Sequence, residues 1–364
     1  MMHVVAHNGA RIWGGAERAT ALLLAGLQAR GHRVLLLCND SVVARRAGEI
    51  GVPTEILPLG GDGMLPHAFR LAHRLRTLRP DAFIIGTYKK LFLAALGARM
   101  ARVPRVVARV GLETDTPRSA KYRFALPRWV DAVAVNARRM RPAFADLPGF
   151  GPDRVVVIHN GVDVPVRTQP PGAVRAALGI SPGAPTVGAV ARLATQKRLD
   201  RLLRAAAQLP DAHCILAGDG EERAGLEALA AELGITRRTH FLGHRTDTGD
   251  VLDAIDVFVV SSDREGLSNS MLEALAAGVP VISTPVSGAD DALEPLADGT
   301  PPGEIVGFGE DEIASALRRL LADAAGRAKM ANAARRSAME RFGMDAMLAR
   351  WEALLAGDPL AEAG

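Results

Sequence analysis

Short apolar runs alternate with amphipathic segments along the chain. In the first half, the largely apolar run His3 to Ala6 precedes a helix-type pattern from Ala16 to Ala29, which Gly31 ends, and a second apolar run follows from Val34 to Cys38. Uninterrupted apolar runs of this length are typical of strands that are buried on both faces of a sheet. The alternation therefore predicts a doubly wound parallel sheet with helices on both faces.

The same alternation restarts in the second half and is most regular between residues 256 and 284. There the run Val257 to Val260 predicts a buried strand, and the polar residues from Ser261 to Gly266 predict a loop. A helix is expected from Ser268, which is a suitable N-cap, to Gly278, and a second strand is expected at Val279 to Ile282.

The two halves are joined by residues 159 to 172, a proline-rich stretch without periodicity that we interpret as an interdomain connection. We therefore predict an α/β protein of two Rossmann-like doubly wound parallel-sheet domains, 1–166 and 167–342, which face a central cleft. In such sheets, ligands bind outside the carboxyl ends of the strands.

The C-terminal residues carry two helix-type patterns, from Ile313 to Arg341 and from Met344 to Leu355. The second lies in the segment 343–364 and contains Trp351. We expect this last helix to cross back to the N-terminal domain.

The composition is that of a globular protein, with 48% hydrophobic and 23% charged residues. No apolar run approaches the roughly 20 residues that a membrane span needs. The first residues lack the basic and apolar segments of an export signal, so a cytoplasmic location is expected. Cys38 and Cys214 lie in apolar runs of different halves, which predicts two buried thiols.

The net charge of +4 conceals an asymmetry between the halves. Residues 1–166 contain 24 Lys and Arg against 12 Asp and Glu, whereas the remainder contains 20 against 28. Basic residues concentrate between Arg99 and Arg141, where Tyr122, Phe124 and Trp129 lie among them. This composition has two interpretations. The segment contacts an anionic surface at the inner face of the membrane, or its arginines are ordinary solvated surface residues.

Two carboxylates accompany the strand–helix unit of the second half. Glu265 lies in the loop after the strand, and Glu273 lies on the same helix face as Asn269 and Ser270. A helix N-terminus at the carboxyl end of a parallel strand attracts phosphate, and a carboxylate beside it is suited to bind sugar hydroxyls. The alternative is that both acids only stabilise the helix dipole.

Two cations follow the first strand of the second half. Arg192 and Lys197 flank the loop between that strand and the next helix. A guanidinium and an ammonium group together can neutralise a diphosphate and its departing charge without a metal ion. The sequence has no Asp-x-Asp motif beside an apolar strand, so neither a metal nor another cofactor is expected.

These features occur in an order that resembles the family-4 retaining glycosyltransferases of the GT-B fold. The elements that carry the resemblance are GGAER at Gly14–Arg18, IHNGVD at Ile158–Asp163, R-x4-K at Arg192–Lys197, GDGEE at Gly218–Glu222, FLGHR at Phe241–Arg245 and EGLSNSMLEALAAGVPVI from Glu265. The resemblance covers most of the second half and reaches the first half through the first two elements.

The resemblance implies a hexosyltransferase that works with retention and without a metal. Its donor would be a nucleoside-diphosphate sugar, UDP first and GDP second, and its acceptor a glycan, lipid-linked or small molecule of the cell envelope or of secondary metabolism. Glu265, Arg192 and Lys197 would take part in catalysis, and Glu273 would bind the ribose. The implied donor-binding residues are Gly14, Gly15, Arg192, Lys197, Gly243, Arg245, Glu265, Gly266, Leu267, Ser268 and Glu273.

The first half departs from the family pattern at one place. Many relatives carry a histidine at the end of a first-domain strand, where this chain reads VARVGLETDTP at Val107–Pro117. Glu113 and Asp115 are candidate replacements with a catalytic role. The other polar residues near strand ends in this half are Arg109, Thr114, His7 and His159.

Two other functions fit parts of the sequence. A nucleotide-sugar-binding protein with little or no turnover fits the absence of the histidine. A nicotinamide-dependent oxidoreductase fits the fold class, but the first strand–helix turn reads NGARIWGGAER and not G-x-G-x-x-G. Nucleic acid is not an expected partner, because it would leave Arg192, Lys197, Glu265 and Glu273 unexplained.

Overall fold

A computed structural model of the protein describes residues 1–61 and 63–358. The chain divides into two compact units: unit 1 contains Met1–Gly161 and the segment from Met344, and unit 2 contains Val162–Gly343. Sequence analysis placed this boundary at residue 166. The boundary lies earlier because the connection already packs with unit 2, where the Val162 amide donates to Phe342 O at 2.8 Å.

Unit 1 is built on a parallel sheet. Its strands are β1 (His3–Asn8), β2 (Arg33–Cys38), β3 (Thr54–Ile56), β4 (Ala82–Ile85), β5 (Arg105–Val110), β6 (Ala132–Val135) and β7 (Val155–Val157). Its first helices are α1 (Gly15–Ala29), α2 (Ser41–Glu49), α3 (Leu65–Leu78), α4 (Leu91–Met100), α5 (Ala120–Trp129) and α6 (Pro142–Ala145). The strand order is β3-β2-β1-β4-β5-β6-β7, so the direction of winding reverses between β1 and β4.

Unit 2 is built on a second parallel sheet. Its strands are β8 (Thr186–Val190), β9 (His213–Ala217), β10 (Thr239–Gly243), β11 (Val257–Val260), β12 (Val281–Ser283) and β13 (Gly303–Ile305). Its helices are α7 (Ala173–Ala177), α8 (Leu199–Ala207), α9 (Arg223–Glu232), α10 (Thr248–Asp253), α11 (Asn269–Ala277), α12 (Ala289–Ala292), α13 (Glu310–Ala322) and α14 (Ala324–Phe342). The order β10-β9-β8-β11-β12-β13 reverses between β8 and β11.

Short 3-10 helices complete both units. They span Tyr88–Lys90, Arg138–Met140, Pro152–Arg154, Thr195–Lys197 and Thr236–Arg238.

The sheet of unit 1 is buried on both faces. Successive residues of β1 point to opposite faces, so Val5 packs in one apolar layer with Phe83, and Val4 packs in the other with Ile84. This explains why β1 reads as an uninterrupted run in the sequence.

The last helix, α15 (Met344–Ala356), packs against α1 in unit 1. Trp351 is 2% exposed and shares the apolar layer that contains Leu27. Arg30 adds an ion pair to Glu352 across the two helices, at 2.7 Å. The C-terminal segment therefore folds with the N-terminal residues and not with its sequence neighbours.

One helix prediction was wrong. The pattern from Ile313 to Arg341 was interpreted as a single helix, but it contains two, α13 and α14. Asp323 separates them because its side chain accepts a hydrogen bond from the Gly326 amide at 2.9 Å and so caps the second helix.

The structure also addresses two features derived from composition. Cys38 and Cys214 are buried free thiols, as predicted, and burial raises the pKa of each to about 12. Among residues 1–61 and 63–358, no helix combines the length and the apolar character needed to cross a bilayer.

Candidate functional site

The carboxyl ends of β8 and β11 are neighbours at the point where the strand order of unit 2 reverses. The segment after β8 contains the short helix Thr195–Lys197, and the loop after β11 leads into α11. Because connections leave such strands toward opposite faces, a crevice forms between them. Lys197 and Glu265 lie in these two connections.

Lys197 and Glu265 form an ion pair in this crevice. Nζ of Lys197 donates a hydrogen bond to Oε1 of Glu265. The Ser262 hydroxyl donates to the same carboxylate oxygen at 2.9 Å. The Lys197 side chain is 19% exposed and that of Glu265 is 12% exposed, so each charge compensates the cost of burying the other.

Further hydrogen bonds join the two connections. The Asp263 amide donates to Gln196 O at 2.9 Å, and the Ser261 hydroxyl donates to Lys197 O at 2.9 Å. Arg201 from α8 lies 2.7 Å from the Asp263 carboxylate. These contacts hold the backbone on both sides of the ion pair, so the pair is preorganised.

The N-terminus of α11 faces this crevice. Ser268 is the N-cap and accepts a hydrogen bond from the Met271 amide at 3.4 Å, while Leu267 beside it is 3% exposed and packs in the core. The carbonyl of Gly266 accepts from the Gly288 amide at 3.0 Å. A small cavity here is lined by Lys197, Glu265, Ser261, Ser262, Ser268 and Ser270 together with apolar residues of β8 and β11. The backbone amides and the helix dipole make this end of α11 suitable for an anion.

The GDGEE element fixes the path of the connection after β8. A Cβ at Gly218 would lie 1.8 Å from Ala191 O, and a Cβ at Gly220 would lie 2.3 Å from Leu193 O. Both glycines also have positive φ, of 140° and 159°. Only glycine permits this close crossing of two backbones. The motif therefore positions the segment that carries Arg192.

Arg192 and Glu273 are less enclosed than the ion pair. Arg192 lies 3.8 Å from the Glu221 carboxylate, and its side chain is 41% exposed. An exposed pair of this kind contributes little stability, so the guanidinium is available to a ligand. Glu273 lies half-buried in α11.

Gly243 and Arg245 lie two strands away from β8, at the end of β10. Gly243 O accepts a hydrogen bond from the Gly218 amide at 2.7 Å, which ties this end to the GDGEE loop. Arg245 donates from Nε to Asp247 at 2.7 Å. Both residues thus border the same edge of the sheet.

The candidates in unit 1 lie after β1 and β5. Gly14 is the N-cap of α1 with an extended backbone (φ −148°), and Gly15 is the first residue of the helix. Glu113 and Asp115 lie half-buried in the loop between β5 and α5. Burial raises the pKa of Asp115, and the positive charge of Lys89 acts in the opposite direction.

The sequence did not identify the residues that contact the Lys197–Glu265 pair or the segments on either side of it. In unit 2 these are Ser262, Asp263 and Arg201, and the polar break after Val260 was their only signal. In unit 1, Arg109 was named from the sequence only as a polar residue near a strand end, and the structure shows that it is buried in β5.

Two family models match the chain. The model for "Glycosyl transferases group 1" matches residues 173–337, and the model for "Glycosyltransferase Family 4" matches residues 13–165. Together they cover most of both units. The chain belongs to these glycosyltransferase families. The family resemblance predicted from the sequence is therefore confirmed.

Curated relatives include two named enzymes. A lipopolysaccharide core biosynthesis glycosyltransferase, LpsE of Rhizobium meliloti, is 37% identical over 233 residues, which are 64% of this chain and 66% of that protein. A D-inositol 3-phosphate glycosyltransferase of Mycolicibacterium gilvum is 37% identical over 180 residues, 46% of this chain and 40% of that protein. The matched regions thus span 66% and 40% of the lengths of these relatives.

Solved structures share the fold. HepE of Anabaena, crystallised with UDP and glucose, has a TM-score of 0.84 at 22% identity over 98% of this chain and 100% of that one. A glycosyltransferase of Rickettsia africae has a TM-score of 0.84 at 15% identity over 98% of both chains. The predicted fold class, two Rossmann-like parallel-sheet domains of the GT-B type, is confirmed.

Proposed function

We propose that this protein transfers a hexose from a nucleoside-diphosphate sugar to an acceptor hydroxyl, with retention and without a metal cofactor. We expect the nucleotide of the donor to be UDP, with GDP as the second candidate. The acceptor is a glycan, lipid-linked or small molecule of the cell envelope or of secondary metabolism. The observation that carries the proposal is the Lys197–Glu265 pair beside the capped end of α11. Family membership and the named activities of the relatives support the reaction class.

The reaction breaks the bond between the sugar and the diphosphate and forms a bond from the same carbon to the acceptor oxygen. The diphosphate leaves with negative charge, which Lys197, Arg192 and the amides at the start of α11 stabilise. Glu265 faces the positive charge that develops on the sugar, and Glu273 accepts hydrogen bonds from the ribose hydroxyls. The acceptor proton passes to the departing diphosphate.

One set of measurements tests the proposal and separates an active enzyme from a binding protein without turnover. Thermal unfolding is first recorded with UDP and GDP, because a ligand that binds only the folded state raises Tm. UDP- and GDP-sugars are then incubated with the protein and a panel of acceptors, with and without EDTA. We expect a Tm shift and transfer with retained configuration, unchanged by EDTA. Binding with neither transfer nor donor hydrolysis would establish the binding protein instead, and loss of transfer in EDTA would contradict metal independence.

We also propose that unit 1 contacts an anionic bilayer at the inner face of the membrane. On α5, Phe124 is 46% exposed, and its ring centroid lies 5.3 Å from that of Trp129. The guanidinium carbon of Arg128 lies 4.3 Å from the centroid of the Phe124 ring. Phe92 of α4 extends the aromatic group, 5.2 Å from Trp129. Aromatic rings flanked by cations suit the headgroup region of anionic lipid.

Vesicle sedimentation tests this contact. The protein should bind vesicles that contain phosphatidylglycerol more strongly than neutral phosphatidylcholine vesicles, and the Phe124→Ser and Arg128→Ser variants should bind them less. Met339→Ser, a substitution at an exposed apolar residue of unit 2, is the matched control. Equal binding to both vesicle types would refute the electrostatic contact.

A further inference from the structure

Arg109 places a cation inside the apolar part of unit 1. It lies on β5, one residue before the end of the strand, and is 7% exposed. Burial lowers the pKa of its guanidinium to about 10, and Glu17 acts in the opposite direction. A buried charge of this kind is costly unless its partners are in place.

The contacts of Arg109 reach two other segments. Nη2 donates to Oδ1 of Asn160 at 2.9 Å. Asn160 is 7% exposed and lies one residue before Gly161, where the first segment of unit 1 ends. Nη1 lies 3.5 Å from both the carbonyl of Ala16 and the hydroxyl of Thr20 on α1. A single side chain on β5 thus links the first turns of α1 to the segment that leaves unit 1.

Glu17 lies beside the glycine turn, in the first turn of α1 next to Ala16, whose carbonyl faces Arg109. It is the third residue of α1, and its carboxylate lies 3.2 Å from the position that a Cβ of Gly14 would occupy. Burial raises the pKa of Glu17, whereas hydrogen bonds from the backbone of Glu17 and Gly14 and the charge of Arg109 lower it. A carboxylate at this helix position that reaches back to the N-cap amide closes the first turn.

We propose that Arg109 is a positioning residue that holds the Gly14–Gly15 turn in place through its contacts with the first turns of α1, at Ala16 and Thr20. The inference rests on the proposed function, in which Gly14 and Gly15 approach a substrate. The contacts of Arg109 are with protein groups, and it acts on the reaction through the turn. Loss of Arg109 removes its contacts with Ala16 O and the Thr20 hydroxyl and a positive charge that acts on Glu17, so the first turn of α1 loosens.

The test compares Arg109→Met and Arg109→Lys with matched variants of Arg105. Arg105 lies on the same strand and donates from Nε to Leu354 O at 3.0 Å, on the side of α15. In Arg109→Met, kcat/KM per folded molecule should fall about tenfold or more, the size expected for a lost charge-assisted contact. Arg109→Lys should recover part of this loss. The Arg105 variants should stay near wild type, and the UDP-induced Tm shift, which reports unit 2, should be unchanged throughout.

A double variant separates positioning from simple stability. Glu17→Gln with Arg109→Met removes both charges, so Tm should recover relative to Arg109→Met alone, because the half-buried Glu17 carboxylate no longer carries a charge that Arg109 would offset. Turnover should not recover, since the glycine turn has still lost its support. Recovery of turnover together with Tm, or wild-type kcat/KM in Arg109→Met, would overturn the proposal.

Hydrogen exchange provides a readout that does not need turnover. The amides of residues 15–18 should exchange faster in Arg109→Met than in Arg105→Met. If the wild type shows no transfer but exchange follows this expectation, the proposed function fails and the positioning role stands. Transfer by the wild type with equal exchange in the two variants would refute the positioning role alone.

Discussion

Lys197 and Glu265 lie 68 residues apart in the sequence and form an ion pair between the ends of two adjacent strands. The reversal of strand order between β8 and β11 brings them together. Ser262 donates to the same carboxylate, so Glu265 is held from two sides. A carboxylate fixed in this way has a defined orientation in the crevice, unlike a solvated surface acid.

Glu265→Gln should lower turnover more than donor affinity. The amide keeps the shape of the side chain but removes the charge that, in the proposed function, faces the reacting sugar. We expect kcat to fall by about tenfold or more, the equivalent of at least about 1.4 kcal/mol, with a smaller change in donor Kd. Steady-state kinetics and calorimetric titration measure the two quantities. Glu232→Gln, on the exposed surface of α9, is the control. A larger change in Kd than in kcat would contradict this role.

Glu273→Ala should have the opposite effect. If Glu273 binds the ribose, its removal weakens nucleotide-sugar binding by about tenfold, because a charge-assisted hydrogen bond is lost. Turnover at saturating donor should stay close to wild type. Titration with UDP and with the UDP-sugar gives the affinities, and Glu232→Ala serves as the control. Unchanged UDP affinity would remove Glu273 from the nucleotide site.

Substitutions of Lys197 and Glu265 should have non-additive effects on the free energy of unfolding. Lys197→Met leaves the Glu265 carboxylate without its counter-charge in a site where it is 12% exposed. We expect a loss of about 2 kcal/mol, below the range for fully buried pairs because both side chains retain some solvent contact. The double variant Lys197→Met with Glu265→Gln should lose less than the single variant. Urea unfolding measures all three, and additive losses would show that the two side chains do not interact.

The local elements of unit 2 could be predicted from the sequence because short-range signals determine them. The run Val257 to Val260, the cap at Ser268 and the stop at Gly278 agree with β11 and α11. The break between α13 and α14 could not be predicted in the same way. Helical periodicity continues across Asp323, and only the capping contact with the Gly326 amide separates the helices.

The candidate site could also be predicted only in part. Sequence reasoning placed Lys197 and Glu265 at one edge, because both follow strands of one parallel sheet. It took Arg192 and Lys197 as one anion-binding pair, whereas the structure pairs Arg192 with the exposed Glu221 and encloses Lys197. Contacts between residues so far apart in the chain depend on strand order, and no local pattern encodes that.

His7 should make unfolding of unit 1 sensitive to acid. It lies at the end of β1 with no exposed surface, and its Nε2 lies 3.2 Å from Leu57 O, to which it can donate. Burial lowers its pKa from 6.5 to about 4. Between these two values the unfolded chain binds a proton that the folded protein does not, so the free energy of unfolding decreases as the pH falls from 6.5 toward 4.

The expected loss is about 2 to 3 kcal/mol between about pH 7 and about pH 4.5, since each pKa unit corresponds to about 1.4 kcal/mol. His7→Gln removes the titrating ring, so this part of the acid sensitivity should disappear even though the variant is less stable at neutral pH. Urea unfolding at the two pH values measures the difference, with His73→Gln on the exposed side of α3 as the control. An equal loss in the wild type and in His7→Gln would show that other groups cause the acid sensitivity.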